Sequence, residues 1–357
     1  MKLIYLNLRF PIGELEKIRD RFIVYLNSGK LRKTTLYYPK EERHHCQVIA
    51  IGGSNCDSAK VVWHHGKIEL KEIKNDKIPK FTDKNIFLSY LADKIKNDTD
   101  LLILNLAQEI EPIIRENRID GILKQASKEH RFDGLVGEII GQTIENYLGQ
   151  KGRKIEVVVV NDVVGLALNK AKNENWRHFL AGVLGTGMNL GLYENEKVII
   201  NSEAGDFNSL QLTETGKLID RESASPGRHL IEKEVAGGYL FQHFNLICQK
   251  MAIEGRVENT EAMGKMAQEA GWRGEIARQL FERSAQLWAA QIAGAARQKG
   301  EGKIKVLMEG SLFWKGYNYQ NYVKKYLAIL GINPHEIDFF LIENSNLKGP
   351  AKLAGNF

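Results

Sequence analysis

The sequence predicts an α/β fold made from a duplicated βββαβαβα unit and arranged as two lobes. Three observations lead there. Residues 155–165 carry four consecutive valines bounded by polar residues, the pattern of a strand buried on both faces inside a helix-covered sheet. A three-strand meander followed by alternating helices and strands occurs twice along the chain. Each meander also opens on a glycine-rich hairpin, Ile-Ala-Ile-Gly-Gly-Ser-Asn at 49–55 and Gly-Val-Leu-Gly-Thr-Gly-Met-Asn at 182–189. Such a duplication implies two similar lobes with a cleft between them, able to close on a ligand.

Taken in order, Pro11 opens an amphipathic helix in which Leu15, Ile18, Phe22 and Leu26 recur at helical spacing, with Gly29 as its C-cap. It reads as a structural flank. Residues 30–45 are basic and irregular, and the adjacent His44 and His45 would point opposite ways on a strand, so they do not share a metal. The first meander is expected at Gln47–Ile51, Ser58–His64 and Lys67–Ile73, with turns at Gly52-Gly53-Ser54-Asn55 and His65-Gly66. A helix at Ile86–Lys96, a strand at Asp100–Leu106, helices at Asp120–Ser127 and Gly134–Leu148, and the valine strand follow. The second meander is expected at Phe179–Leu184, Leu190–Glu194 and Lys197–Asn201. Helices at Gly227–Met251 and Gly274–Lys299, a strand at Lys305–Met308, a helix at Tyr317–Leu330, a strand at Ile337–Glu343 and a last helix opened by Pro350 complete the chain. The expected lobes are residues 46–162 with 348–357, and residues 1–45 with 163–347.

At 357 residues and 43% hydrophobic, the chain has material for large cores and two domains. No apolar run approaches the roughly 20 residues of a membrane span, and the start lacks a signal-peptide centre, so a soluble, cytoplasmic protein is expected. Cys46, Cys56 and Cys248 are odd in number and widely spaced, which suits reduced thiols. A net charge of +6 is too mild to choose between an anionic small molecule and nucleic acid, and no helix-turn-helix or basic aromatic stripe supports the latter.

Chemistry concentrates at three places. The valine strand delivers Asn161 and Asp162 to its carboxyl end, where open α/β sheets bind ligands and where a carboxylate can take a proton from a substrate hydroxyl. Capping of the next helix is the structural alternative for this dipeptide. The two glycine turns present backbone N–H groups with no side chain in the way, so phosphate oxygens can approach, and each carries a hydroxyl, Ser54 and Thr186. Asn161, Asp162, Asn201, Glu203 and Glu232 are amides and carboxylates able to pair with ligand groups that both donate and accept. His130 and Asp133 read as surface groups outside the chemistry.

These segments, in this order, resemble the hexokinase family, the ATP-dependent hexose kinases on a two-lobed, actin-like ATPase (ribonuclease H-like) fold. Gly52, Gly53, Ser54 and Asn55 are similar to the first phosphate motif, and Leu184-Gly185-Thr186-Gly187-Met188-Asn189 to the second. Gly-Ile-Leu-Lys-Gln-Ala-Ser-Lys at 121–128 resembles the stretch ending in a sugar-touching Thr-Lys pair, which implies that role for Ser127 and Lys128. Asn161-Asp162 match the Asn-Asp whose aspartate is the catalytic base. Asn201-Ser202-Glu203-Ala204-Gly205 resembles the sugar loop. The run Ser225-Pro226-Gly227-Arg228 through Tyr239-Leu240 is similar to the family helix whose Glu, here Glu232, binds sugar. Glu309-Gly310-Ser311-Leu312 resembles the turn near the adenosine, and Lys348-Gly349-Pro350-Ala351 the start of the closing helix.

The resemblance implies transfer of the γ-phosphoryl group of MgATP to the 6-hydroxyl of a hexose, most readily glucose. Asp162 would be the base, Lys128 and the turn amides would offset phosphoryl charge, and lobe closure would exclude water. ATP and Mg²⁺ are the implied cofactors, and the sugar and ATP the implied partners, with no nucleic acid or membrane. Three single positions and one segment depart from the pattern. Ala50 stands where the family has the aspartate that organises the metal, Asp57 where it has a phosphate-directed Arg, and Ala204 where it has a Trp. Leu104-Asn105-Leu106-Ala107 replaces the usual Phe-Ser-Phe-Pro. Ala50 and Asp57 support the alternative of a catalytically impaired, sugar-binding sensor or scaffold. The bacterial repressor-and-kinase sugar family shares the fold but typically carries a His and clustered-Cys zinc motif, which three scattered cysteines do not supply.

Overall fold

A computed structural model describes residues 7–39, 45–64, 67–126, 130–300 and 302–355. In chain order the elements begin with α1 (Ile12–Leu26), β1 (Arg32–Thr35), β2 (Cys46–Ile51), β3 (Asn55–His64) and β4 (Lys67–Lys77). Next come α2 (Lys84–Lys94), β5 (Leu101–Leu106), β6 (Glu109–Arg115), β7 (Arg118–Gln125), α3 (Ile140–Gln150), β8 (Glu156–Asn161) and α4 (Asp162–Ala167). The second half runs β9 (Phe179–Leu184), β10 (Met188–Asn195), β11 (Val198–Asn201), α5 (Glu214–Glu222), α6 (Leu230–Val235), α7 (Gly237–Lys250), α8 (Thr260–Met266) and α9 (Gly271–Lys299). It ends with β12 (Ile304–Glu309), α10 (Ser311–Lys315), α11 (Tyr319–Ile329), β13 (Ile337–Phe340) and α12 (Ser345–Ala351).

One sheet has the order β4-β3-β2-β5-β8 and the other β1-β11-β10-β9-β12-β13. Without β1, the second order repeats the first strand for strand, so the duplication read from the sequence is present as topology. The chain divides into two compact units. Unit one is residues 1–31, 182–190 and 202–340; unit two is residues 32–181, 191–201 and 341–357.

In unit two, β2, β5 and the valines of β8 are buried because both faces of the sheet are covered. Ile49, Ile51, Leu102, Leu104, Val157 and Val159 form one face, packed on Phe87 and Leu91 of α2 and Ile144 and Leu148 of α3. The other face carries Ala50, Asp57 and Asn105 toward α12. The outer strand β4 is charged and mostly exposed, a composition that discourages edge pairing. In unit one, α9 is buried for most of its length and α1 lies against it through Leu15, Ile18 and Phe22. Gly294 makes that approach possible, since a Cβ there would come within 3.0 Å of the Arg19 carbonyl.

Several expected elements differ. Asp120–Ser127 is not a helix. Residues 118–125 form β7, paired with β6 through a turn at Glu116 and Asn117, whose φ angles of 48° and 60° make the mirror-image turn favoured by hairpins. That turn usually announces itself through glycine, absent here, and Gly121 sits instead within the strand because a Cβ would strike Ile110 at 2.1 Å. The helix expected from Gly134 starts only at Ile140, since Gly134 and Gly137 hold φ of 79° and 90°. Gly227–Met251 is two helices, α6 and α7, broken at Ala236 with ψ of 151°. Pro350 lies inside α12 rather than opening it. Residues 32–35, expected to be irregular, pair with β11. His130 is buried, not at the surface: its Nδ1 accepts the Phe81 N–H at 3.1 Å and its ring stacks on Phe81.

Candidate active site

In unit two, the buried run of β8 ends at Asn161, which caps α4. Its Oδ1 accepts the Val163 N–H at 3.0 Å and its Nδ2 donates to the Gln108 carbonyl at 3.0 Å. The capping alternative therefore holds for Asn161. Asp162, half-buried, is the first residue of α4, and its Oδ1 accepts the same Val163 N–H at 2.9 Å. With the cap supplied by its neighbour, Asp162 is placed at the strand's carboxyl end without being needed to start the helix. Asn201 ends β11, buried, opposite Arg32 and Gly191. Beneath Asn161 and Asn201, a cavity of about 10 Å³ lined by Arg32, Val159 and Val160 has room for a single water and no sugar. Ser127 and Lys128 lie outside the described residues.

The first glycine turn of unit two is held lightly. Gly52 donates to the Asn55 carbonyl at 2.9 Å and Ile78 to that of Ser54 at 3.2 Å. Ser54 and Asn55 are exposed and Gly53 is partly so, leaving the turn open to an anion. At the end of β2, Ala50 is paired with Asp57 on one side and Asn105 on the other. Cross-strand partners share a face, so these three side chains form a row. Asn346 of α12 spans it, donating from Nδ2 to Asp57 Oδ2 at 2.5 Å and accepting at its carbonyl from Asn105 Nδ2 at 2.9 Å. Among the described residues, Asn105 Oδ1 is buried with no hydrogen-bond partner. Magnesium takes oxygen donors, so Ala50 offers it nothing, while the row around Ala50 holds a carboxylate and an unused carbonyl oxygen.

Unit one carries the second turn, and here backbone meets backbone. Gly237 and Gly238, at the start of α7, donate to the carbonyls of Gly185 and Thr186 at 2.8 and 3.0 Å. A Cβ on either glycine would stand 2.8 Å from those oxygens. Gly310 holds φ of 110° because a Cβ would meet the Leu184 carbonyl at 2.2 Å, and Gly310 and Ser311 lie beside Gly185. The break between α6 and α7 is what admits the turn. Thr186 is exposed, Gly187 accepts the Gly185 N–H at 2.9 Å, and Asn189 is buried, its Oδ1 taking the N–H groups of Leu190 and Ala204 at 2.8 and 3.2 Å.

The residues expected to form a sugar loop follow. Glu203 sits in the left-handed region at φ 45°, a strained setting for a non-glycine residue. Tyr25 of α1 holds this loop by donating to the Ser202 and Glu203 carbonyls at 2.8 and 3.3 Å, and Phe22, Tyr25 and Phe207 pack ring against ring. The helix expected as a flank is thus the loop's support. Glu232, in the first turn of α6, accepts the Met188 N–H at 3.0 Å, which ties it to the strand leaving the second turn.

Below α6 lies a buried ionic network. Glu234 faces Arg283 at 2.9 Å and takes the Thr213 N–H and hydroxyl at 2.8 and 2.9 Å. Burial works against its charge, but Arg283, His243 and the Thr213 bonds outweigh that and hold its pKa below the usual carboxylate range. Burial, reinforced by Arg283, pushes His243 down to about 4, so the ring is neutral near pH 7. Lys233 is buried too, donating to Asp220 at 2.6 Å and to the carbonyls of Ser225 and Arg228 at 2.8 Å each.

A hexokinase family model matches residues 163–275 and 257–355, together more than half of the chain. The chain belongs to the hexokinase family. Among curated hexokinases it is 30% identical to Hexokinase-1 of Spinacia oleracea over 294 residues, 70% of this chain and 58% of the relative. It is 29% identical to Hexokinase-9 of Oryza sativa subsp. japonica over 163 residues, 41% of this chain and 32% of that one. The matched segments therefore span less than two thirds of these relatives. In fold it is similar to a hexokinase from Schistosoma mansoni complexed with glucose, at TM-score 0.78 and 19% identity, over 97% of this chain and 96% of the other. A ROK family glucokinase from Streptomyces griseus, in complex with glucose and AMPPNP, matches 86% of this chain and 98% of its own at TM-score 0.57 and 14% identity. The fold is thus the actin-like sugar-kinase fold. Within this hexokinase-family chain, sequence reasoning missed Tyr25, Asn346 and Lys233. Tyr25 and Asn346 sit in no motif, and Lys233, though inside the run 225–240, has a residue type that does not announce its buried contacts.

Proposed function

We propose that this chain transfers a phosphoryl group from ATP to the primary hydroxyl of a hexose, glucose first, with Asp162 as general base. The observation that carries the reading is the placement of Asp162 at the carboxyl end of β8, with Asn161 taking over the capping of α4. In this reading Asp162, Asn161, Asn201, Ser127, Lys128, Glu203 and Glu232 bind the sugar. The amides of Gly52, Gly53, Ser54 and Asn55 bind phosphate, and Gly185, Thr186, Gly187, Asn189, Gly310 and Ser311 bind the nucleotide. Mg²⁺ bound to the nucleotide supplies charge neutralisation at the phosphates. Asp162 accepts the hydroxyl proton as the oxygen attacks, and the turn amides offset charge on the phosphoryl oxygens. The functional lobes in this reading are residues 46–162 with 348–357, and residues 1–45 with 163–347. Three free, buried cysteines suit a reducing cytoplasm, and no described helix is long and apolar enough to cross a membrane.

The test is a coupled ADP-release assay over a hexose panel, with Asp162→Ala beside the wild type. Turnover on the preferred sugar is expected to fall by roughly three powers of ten or more, with calorimetric sugar affinity preserved. Near-normal turnover in the variant removes Asp162 from the mechanism. Ala50 favours one second reading, a sugar-binding sensor without turnover. Sugar binding by a wild-type protein that binds no MgATP would support it.

A further inference from the structure

We propose that Asp57 is the carboxylate through which this chain holds the divalent cation of its nucleotide, taking over from the acid that position 50 lacks. The proposal rests on the kinase reading above and adds a metal ligand to it. Position 50 ends a buried strand just before the first glycine turn, and its methyl group offers no oxygen. Asp57 is its direct partner on β3, so its side chain leaves the sheet on the same face. The displacement from residue 50 to residue 57 is one strand spacing, about 5 Å. A hydrated Mg²⁺, which usually keeps several of its waters, spans such a distance through one of them.

Two further features point to a cation. Asp57 is presented by amides alone: Asn75 Nδ2 donates to one carboxylate oxygen and Asn346 Nδ2 to the other, and among the described residues no Lys or Arg pairs with it. Its charge is oriented but not neutralised. On the other flank of Ala50, Asn105 is 3% exposed, and among the described residues its Oδ1 lacks a partner while its Nδ2 is pinned by the Asn346 carbonyl. A buried carbonyl oxygen left unpaired costs free energy that an oxygen-seeking ion or its water recovers. Asp57 and Asn105 therefore bracket Ala50 with the donor types Mg²⁺ prefers.

The test is calorimetric ADP binding with and without Mg²⁺. In the wild type, Mg²⁺ tightens ADP binding. In Asp57→Asn that gain shrinks by roughly tenfold or more, while affinity for ADP without Mg²⁺ is kept. The double variant Asp57→Asn/Ala50→Asp regains it. Asp57→Asn is isosteric at a half-exposed strand position, and Asp57→Ser, with the same expected loss, serves if the first does not fold. An unchanged Mg²⁺ gain in either folded variant overturns the assignment and leaves the kinase reading standing. A wild-type protein that binds no ADP under either condition overturns both.

Discussion

The two glycine turns come from equivalent places in the duplicated topology, yet they are built differently. The turn of unit one is locked by backbone contacts: the carbonyls of Gly185 and Thr186 receive N–H groups from α7, and Gly310 presses on Leu184 at a spacing no Cβ tolerates. The turn of unit two is an exposed hairpin closed by Gly52 on Asn55, where a Cβ on Gly52 would meet nothing closer than 3.6 Å. A segment fixed by buried backbone-to-backbone contacts cannot change residue by residue without disturbing everything packed on it. A surface hairpin can, and the departures from the hexokinase pattern at Ala50 and Asp57 lie on the strands β2 and β3 that flank it, Ala50 buried and Asp57 partly exposed.

The contrast can be broken by mutation. Gly310→Ala is expected to cost about 3 kcal/mol or more, since it combines a φ of 110° with a Cβ 2.2 Å from a carbonyl; a urea melt within 1 kcal/mol of wild type would show the unit-one turn is not locked. Next in size is an acid response seated at His243 in unit one. His243 has a pKa of about 4 when folded, set first by burial and then by Arg283, against about 6.5 when unfolded. The unfolded chain therefore binds the extra proton between those values, and stability falls as pH drops from about 6.5 to about 4, by on the order of 2 to 3 kcal/mol. His243→Gln should flatten that part of the pH profile of Tm, and an unchanged slope assigns the sensitivity elsewhere. The smallest effect sharpens the comparison from the other side. In Gly52→Ala the new Cβ would meet nothing closer than the Asn55 carbonyl at 3.6 Å, so stability should stay level or rise by about 0.5 kcal/mol. A loss above 1 kcal/mol there would mean both turns are equally constrained.

How far the chain could be read in advance follows the range of the forces involved. The valine strand, the two meanders, α1 and α9 were legible because burial on both faces, or on one stripe, leaves a periodic trace in neighbouring residues. The hairpin of β6 and β7 was not, since its turn residues Glu116 and Asn117 adopt positive φ without glycine, and a short apolar run fits helix or strand equally. The break at Ala236 was hidden for a different reason. It is imposed by carbonyls some fifty residues earlier in the chain, and local propensity carries no record of them.

By itself, the sequence determined the doubled strand order, the delivery of Asn161 and Asp162 to the end of β8, and the missing acid at position 50, because each is a matter of residue type and spacing along one segment. Only the tertiary structure decided that Tyr25 supports the loop of Glu203, that Gly237 and Gly310 clamp the second turn, and that Asn346 spans Asp57 and Asn105 above Ala50. Those contacts join residues tens to hundreds of positions apart, and their geometry exists only once the strands have paired and the helices have packed on them.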